Sequence, residues 1–159
     1  MGVVAGRLSE LGCVLPTAPL PLGAYLPVLE SGELVFTSGM LPMIDGRVMF
    51  TGIVGGSGHD VTEGAEAARL CAMNAVAALA AHLGGLDGLD RVEQIVQVSG
   101  HVLSAPGFCD QPQVLNGASE WLFQVFGETG RHTRMALGAF ALPRNATVEL
   151  ALVARLRRC

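Results

Sequence analysis

The chain contains no lysine; its ten Lys/Arg positions are all arginine. That excludes a Schiff-base lysine and the lysine of a phosphate-binding P-loop. With 14 acidic residues and a formal net charge of −4, it also argues against broad electrostatic binding of nucleic acid. Charge of either sign is scarce, at 15% of residues against 50% apolar. Such a composition excludes disorder, and so few charges on a small chain imply surface covered by other subunits. Four cysteines (Cys13, Cys71, Cys109 and Cys159) form no C-x-x-C pair, so neither a zinc site nor a disulfide scaffold is expected. Cys71 reads as a small core residue. His59, His82, His101 and His132 are equally scattered, and no metal is expected. Long hydrophobic runs are missing too. "CAMNAVAALAAHLGG" carries Asn74 and His82 and falls short of the roughly 20 residues of a membrane span. The N-terminus has no basic start followed by an apolar core, and neither Gly2 nor Cys159 sits in a lipidation signal. A soluble, cytoplasmic protein without a membrane partner is the expectation.

What is present reads as one α+β domain over residues 1–159. A short helical extension is expected at about 6–12, followed by a proline-rich entry. "ELVFTSGML" is β-rich, and "DGRVMF" reads as its hairpin partner with Asp45-Gly46 at the turn. "TGIVGGSGHD" is glycine-rich but matches no phosphate fingerprint, so it reads as a flexible lid or surface loop, with His59 a mobile surface histidine. Asp60 and Glu63 form a capping-box pattern at the head of a helix over about 61–83. "VEQIVQVSGHVLS" is a strand, expected to bend at Gly100. A second helix is headed by Asp110 and Gln113, again in capping-box pattern, with Pro112 in its first turn. Val114, Leu115, Ala118, Trp121, Leu122, Val125 and Phe126 recur at helical spacing, which makes Trp121 a core residue. Asn116 and Glu120 read as an exposed polar pair, and Gly127 as the C-cap. Two strands over about 134–141 and 146–156 close the chain. Two helices therefore cover one face of a sheet, and a homo-oligomer is expected to cover the other.

Alternation puts Thr147, Glu149, Ala151 and Val153 on one face of the last strand. Paired through Leu142-Pro143, the two final strands would set Glu149 opposite a residue near 136, with Arg134 a diagonal neighbour. An arginine fork beside a sheltered glutamate can seat a carboxylate while the glutamate handles water. The same pattern also fits an ordinary structural ion pair at a strand end.

Arg134 is followed after nine residues by Pro143 of a Leu-Pro and after six more by Glu149; upstream stand Tyr25 in "PLGAYLP" and Ser38-Gly39 in "FTSGMLP". In these segments, and from about Leu8 onward, the chain resembles the RidA (YjgF) family of enamine/imine deaminases. The resemblance implies a chorismate-mutase-like fold, a homotrimer whose sheets close a barrel core, and three clefts between adjacent protomers. It implies that Arg134 binds a substrate carboxylate, that Glu149 positions the hydrolytic water, and that Tyr25, Ser38, Gly39 and Ala136 line the pocket. Substrates would be small 2-imino acids or their enamine tautomers, hydrolysed to 2-keto acids and ammonia without metal or organic cofactor. The chain departs from the pattern at Ala136, where a cysteine is usual, and at Ser119, where many deaminases carry tyrosine. Its 51–60 loop is also long. Arg131 and His132 are candidates for a second anionic contact, or else a solvated loop. Two other functions stay open: a non-catalytic trimer that binds small carboxylates, and an endoribonuclease.

Overall fold

The computed structural model describes residues 1–157; Arg158 and Cys159 lie outside the described residues. The chain begins with helix α1 (Val3–Glu10) and strands β1 (Val28–Ser31), β2 (Leu34–Thr37), β3 (Met43–Ile44) and β4 (Arg47–Val48). Helix α2 (Val61–His82), strand β5 (Val92–Leu103), helix α3 (Gln111–Phe126) and strands β6 (Thr133–Ala139) and β7 (Val148–Leu156) follow. Five strands form one sheet in the order β1-β2-β7-β5-β6, and β3-β4 is a separate hairpin. The expected α+β layer is therefore present.

α1 begins at Val3 rather than near residue 6, and its cap comes from far along the chain. Its N-cap, Gly2, has no capping side chain. Instead Asp90 takes the Val3 and Val4 N–H groups at 2.8 and 2.9 Å, and Asp87 takes that of Gly2 at 2.6 Å. These carboxylates satisfy orphan donors at the positive end of the helix dipole. The Val4 N–H foremost, then that of Val3, holds the Asp90 carboxyl below its ordinary range.

The Asp60–Glu63 capping box forms in full at the start of α2. That at Asp110 does not: its φ/ψ of −94°/27° is not extended, and its side chain caps nothing. Pro112 and the apolar stripe suffice to define α3, whose residues Val114, Leu115, Ala118, Trp121, Leu122, Val125 and Phe126 are all buried. They meet the inward faces of β5 and β7, notably Val98, Leu150 and Leu152, in one core. Full burial of each large side chain contributes about 1.5–3 kcal/mol.

Three strand expectations need correction. Asp45 and Gly46 do make a tight turn, both with positive φ (49° and 77°), but it joins β3 to β4. The β-rich run at Leu34–Thr37 pairs with β1 and β7 instead, because β1 supplies an edge that the proline-rich entry concealed. Gly100 does not bend β5. It stays in register with Ala136 and Leu150, and the irregularities lie between Val92 and Gln97. A Cβ on Gly100 would stand 2.1 Å from Leu115 Cδ1, so the glycine serves close approach of α3.

The third correction matters most for function. β6 and β7 do not pair with each other. β5 lies between them, parallel to β6 and antiparallel to β7. Parallel neighbours require a crossover, which α3 provides. The connection beyond Ala139 then passes the end of β5, where Ser104 N–H reaches Ala139 O and Leu103 N–H reaches Thr147 O.

Residues 51–60 are pinned rather than lid-like. Val54 is fully buried and bridges both His59 and Ser104. His59 is fixed too, with Nε2 2.7 Å from Thr51 O and Nδ1 3.3 Å from Glu63 Oε2.

Candidate active site: two half-sites on one protomer

The sheet register separates Arg134 from Glu149. Arg134 pairs with Val98 of β5, whose other partner is Leu152; Glu149 pairs with His101, three residues further along. Two strand spacings and three residues put the two Cα atoms about 14 Å apart. They also belong to opposite faces, since Val98 is buried under the helices while Glu149 shares a row with half-buried Ala151 and Val153. Neither the structural ion pair nor a shared site exists within one protomer.

Glu149 gathers one group. Backbone bonds between Met40 and Leu150, at 2.7 and 3.0 Å, lay the segment after β2 alongside β7. Buried Asn74 on α2 clamps that segment by donating to Leu41 O and Met43 O at 3.1 and 2.9 Å. Gly39 thereby lies against the glutamate, so close that a Cβ would be 2.2 Å from Glu149 Oε1. Ser38 Oγ donates to Leu26 O at 2.7 Å, and the Tyr25 hydroxyl accepts Leu22 N–H at 3.0 Å. Together Leu22, Tyr25, Ser38, Gly39, Pro143 and Glu149 line a concavity of about 350 Å³. Four of the residues named from sequence thus do converge.

Arg134 gathers another. Its Nη1 donates to Asn116 Oδ1 at 2.9 Å and to Ser119 Oγ at 3.0 Å, and its Nη2 to Pro112 O at 3.1 Å. A guanidinium has five N–H groups, so α3 engages three and leaves Nε–H and one Nη2–H. Its partners on α3 are all neutral, and among the described residues Arg134 forms no ion pair. Pro112, Asn116 and Ser119 stand at i, i+4, i+7, one stripe of α3. That spacing was the available signal for Asn116, which is a partner of Arg134 rather than of Glu120. Ser119, Glu120, Phe123, Arg131, His132 and Arg134 line a second concavity of about 370 Å³. Ala136 lies two residues along β6, facing Gly100.

Arg131 and His132 do not supply a second free cation here. Arg131 pairs with Glu128 at 2.9 Å and lies 4.4 Å over the Phe123 ring. His132 donates from Nδ1 to Gly130 O at 2.7 Å and meets Ser119 Oγ through Nε2 at 2.9 Å. Burial foremost, assisted by the Arg134 charge and opposed by the Gly130 carbonyl, holds its pKa below the ordinary 6.5. The ring is therefore uncharged at neutral pH. Cys71 is buried, and burial followed by the Glu149 charge pushes its thiol well above the ordinary range, so it is an inert core residue.

The family described as "YjgF/chorismate_mutase-like, putative endoribonuclease" matches residues 5–156. The chain belongs to the YjgF (RidA) family. Within reach of this family, protein TCP17 of Trypanosoma cruzi is 42% identical over 150 residues, covering 94% of this chain and 91% of TCP17. The crystal structure of Atu1372 from Agrobacterium tumefaciens matches with a TM-score of 0.88 at 41% identity, over 98% of this chain and 93% of that one. A Shewanella oneidensis MR-1 structure, described as a putative endoribonuclease, matches with a TM-score of 0.90 at 34% identity, over 96% and 99%. Among the described residues no helix is long and apolar enough to cross a membrane, and no group of three or more His, Cys, Asp or Glu could hold a metal.

Proposed function

We propose that the protein is a homotrimer in which the Arg134 half-site of one protomer closes on the Glu149 half-site of the next. The cleft so formed hydrolyses a small 2-imino acid, or its enamine tautomer, to a 2-keto acid and ammonia. One observation carries the reading: Arg134 and Glu149 stand about 14 Å apart on opposite faces of the sheet of one protomer, each beside its own concavity. The open sheet face supports the oligomer. Leu29, Leu34 and Phe36 on β1 and β2, and Met135 and Leu137 on the opposite edge strand β6, are each more than a third exposed there, apolar surface of the kind that marks an interface. TdcF of E. coli, which matches at 22% identity and a TM-score of 0.60, carries bound serine in its crystal structure. A small amino acid in a protein of this fold fits the ligand size assigned here.

In the closed cleft the two remaining Arg134 N–H groups hold the substrate carboxylate, which sets the adjacent C=N carbon in place. Glu149 accepts a proton from a water as the oxygen adds to that carbon and passes it to the nitrogen, giving a carbinolamine. Glu149 then takes the hydroxyl proton and delivers it to the amine nitrogen as the C–N bond breaks, ammonia leaves and the C=O forms. An enamine first takes a proton on carbon and gives one up from nitrogen to become the imine. Water is the only co-reactant. Ala136 offers no thiol, so the reaction is assigned to orientation and to one carboxylate.

An amino-acid oxidase generating imines in the presence of semicarbazide provides the test. The protein is expected to lower semicarbazone yield, and Arg134→Ala and Glu149→Gln are expected not to. Loss of two charge-assisted hydrogen bonds predicts at least about 100-fold weaker calorimetric binding of pyruvate by Arg134→Ala. Binding without any loss of semicarbazone over small, aliphatic and aromatic imines would instead identify a carboxylate-binding trimer. RNA cleavage that survives Arg134→Ala and further purification would identify a nuclease.

A further inference from the structure

We infer that Ser119 and His132 are positioning residues for Arg134, joined to it in a hydrogen-bonded chain whose direction is set by an uncharged imidazole. This rests on the reading of Arg134 as the carboxylate anchor and assigns what holds that anchor.

The direction follows from donors and acceptors alone. Gly130 O can only accept, so His132 Nδ1 carries the proton at their 2.7 Å contact. On a neutral ring Nε2 is then a lone pair, and the Ser119 hydroxyl donates to it across 2.9 Å. Ser119 Oγ thereby presents its own lone pairs to Arg134 Nη1 at 3.0 Å, and arginine can only donate. Every member of the chain from Arg134 through Ser119 and His132 to Gly130 is satisfied in one arrangement only. With Asn116 Oδ1 and Pro112 O as the further acceptors, the guanidinium plane is fixed and its free N–H groups are turned to the cleft.

Protonating His132 breaks that arrangement. Nε2 becomes a donor aimed at Ser119 Oγ, the serine proton must find another acceptor, and a second positive charge appears two hydrogen bonds from the guanidinium. The charged groups facing the imidazole are few. β6 contributes Arg134 and α3 contributes Glu120. The turn at 127–130 contributes Glu128, which is engaged by Arg131. From β5 the neutral Gln94 amide approaches the same turn, donating to Thr129 O and Arg131 O.

The test reads the guanidinium itself and does not depend on a ligand. Side-chain nitrogen NMR of the assembled protein reports rotation of the Arg134 guanidinium, and the His132 ring nitrogens report tautomer and titration. In the wild type, rotation is expected to be slow at neutral pH and to speed up only as pH falls below the ordinary 6.5 and His132 takes up its proton. Ser119→Ala is expected to release it at every pH. His132→Gln, which retains an uncharged acceptor, keeps rotation slow at the acid end; His132→Leu does not. In parallel, Ser119→Ala is expected to raise the KM for imine, and the Kd for pyruvate, about tenfold, with a much smaller change in kcat. Unchanged rotation in Ser119→Ala, or an acid-side release that persists in His132→Gln, would overturn the inference. If rotation responds as stated while the wild type neither binds pyruvate nor hydrolyses imines, the positioning chain stands and the carboxylate reading of the site fails.

Discussion

Replacing Gly39 by alanine tests the glutamate half-site through a distance that the structure supplies. The new Cβ would stand 2.2 Å from Glu149 Oε1, 2.8 Å from Cδ and 3.0 Å from Cγ, whereas ordinary contact begins at 3.4 Å. Turning the carboxylate about its last bond relieves only the first of these, so the rest of the side chain must retreat by roughly half an ångström to restore ordinary contact. Where a misplacement of 1 Å costs about 100-fold in turnover, one of half that size is expected to cost on the order of 10-fold, and an off-rotamer side chain costs about 0.5–1.5 kcal/mol. Gly39 carries no positive φ, so its backbone accepts alanine, and the steric term stands alone. Urea unfolding and the semicarbazone assay would be run on Gly39→Ala, Glu149→Ala and the double variant. The destabilisation by Gly39→Ala is expected to vanish in the Glu149→Ala background, where lower unfolded-state entropy makes alanine neutral or stabilising, giving a coupling of about 1 kcal/mol. Equal stability changes in both backgrounds, or full turnover in Gly39→Ala, would refute the contact.

Two further substitutions test the frame around the site. Asp90→Ala removes the remote cap of α1 and is expected to lower stability by about 1 kcal/mol, with Asp90→Asn lowering it less. Because the folded-state pKa of Asp90 is depressed, its stabilisation is complete above the ordinary value of 3.8 and is lost as pH falls through the lower folded value. Asp90→Ala should therefore flatten that acid limb in denaturant titrations, and an unchanged limb would speak against the cap. Gly100→Ala forces a Cβ to within 2.1 Å of Leu115 Cδ1 and 2.8 Å of its Cγ, in fully buried surroundings. Overpacking of this kind costs about 1–3 kcal/mol; a wild-type unfolding midpoint would mean that the strand tolerates the residue.

The elements of this fold were legible in the sequence wherever a local pattern decides them. The stripe from Val114 to Phe126 fixes α3, and Asp60 with Glu63 marks the start of α2, because both depend on neighbours within a few residues. Partners across the sheet were not legible. A short Leu-Pro connection between β6 and β7 looks like a hairpin, and nothing local reveals that β5 lies between them. α1 hid its cap because Asp87 and Asp90 are more than 80 residues away. Of the site, the residue types and the separations of Arg134, Pro143 and Glu149 carried the family, and Tyr25, Ser38, Gly39 and Glu149 do meet in one concavity. The support of Arg134 by Asn116 and Ser119 was missed because polar residues on an exposed helix edge look alike until the strand beside them is placed.

Turnover in mixed oligomers addresses a cleft shared between protomers most directly. Arg134→Ala and Glu149→Gln proteins, each inactive alone, would be unfolded together in equal amounts and reassembled, with exchange of subunits verified by mass. In a cyclic assembly filled at random, about one interface in four brings an intact Arg134 against an intact Glu149. Imine hydrolysis is therefore expected to return to about a quarter of the wild-type rate. A reassembled mixture with proven subunit exchange and no recovered hydrolysis would contradict a site built from two protomers.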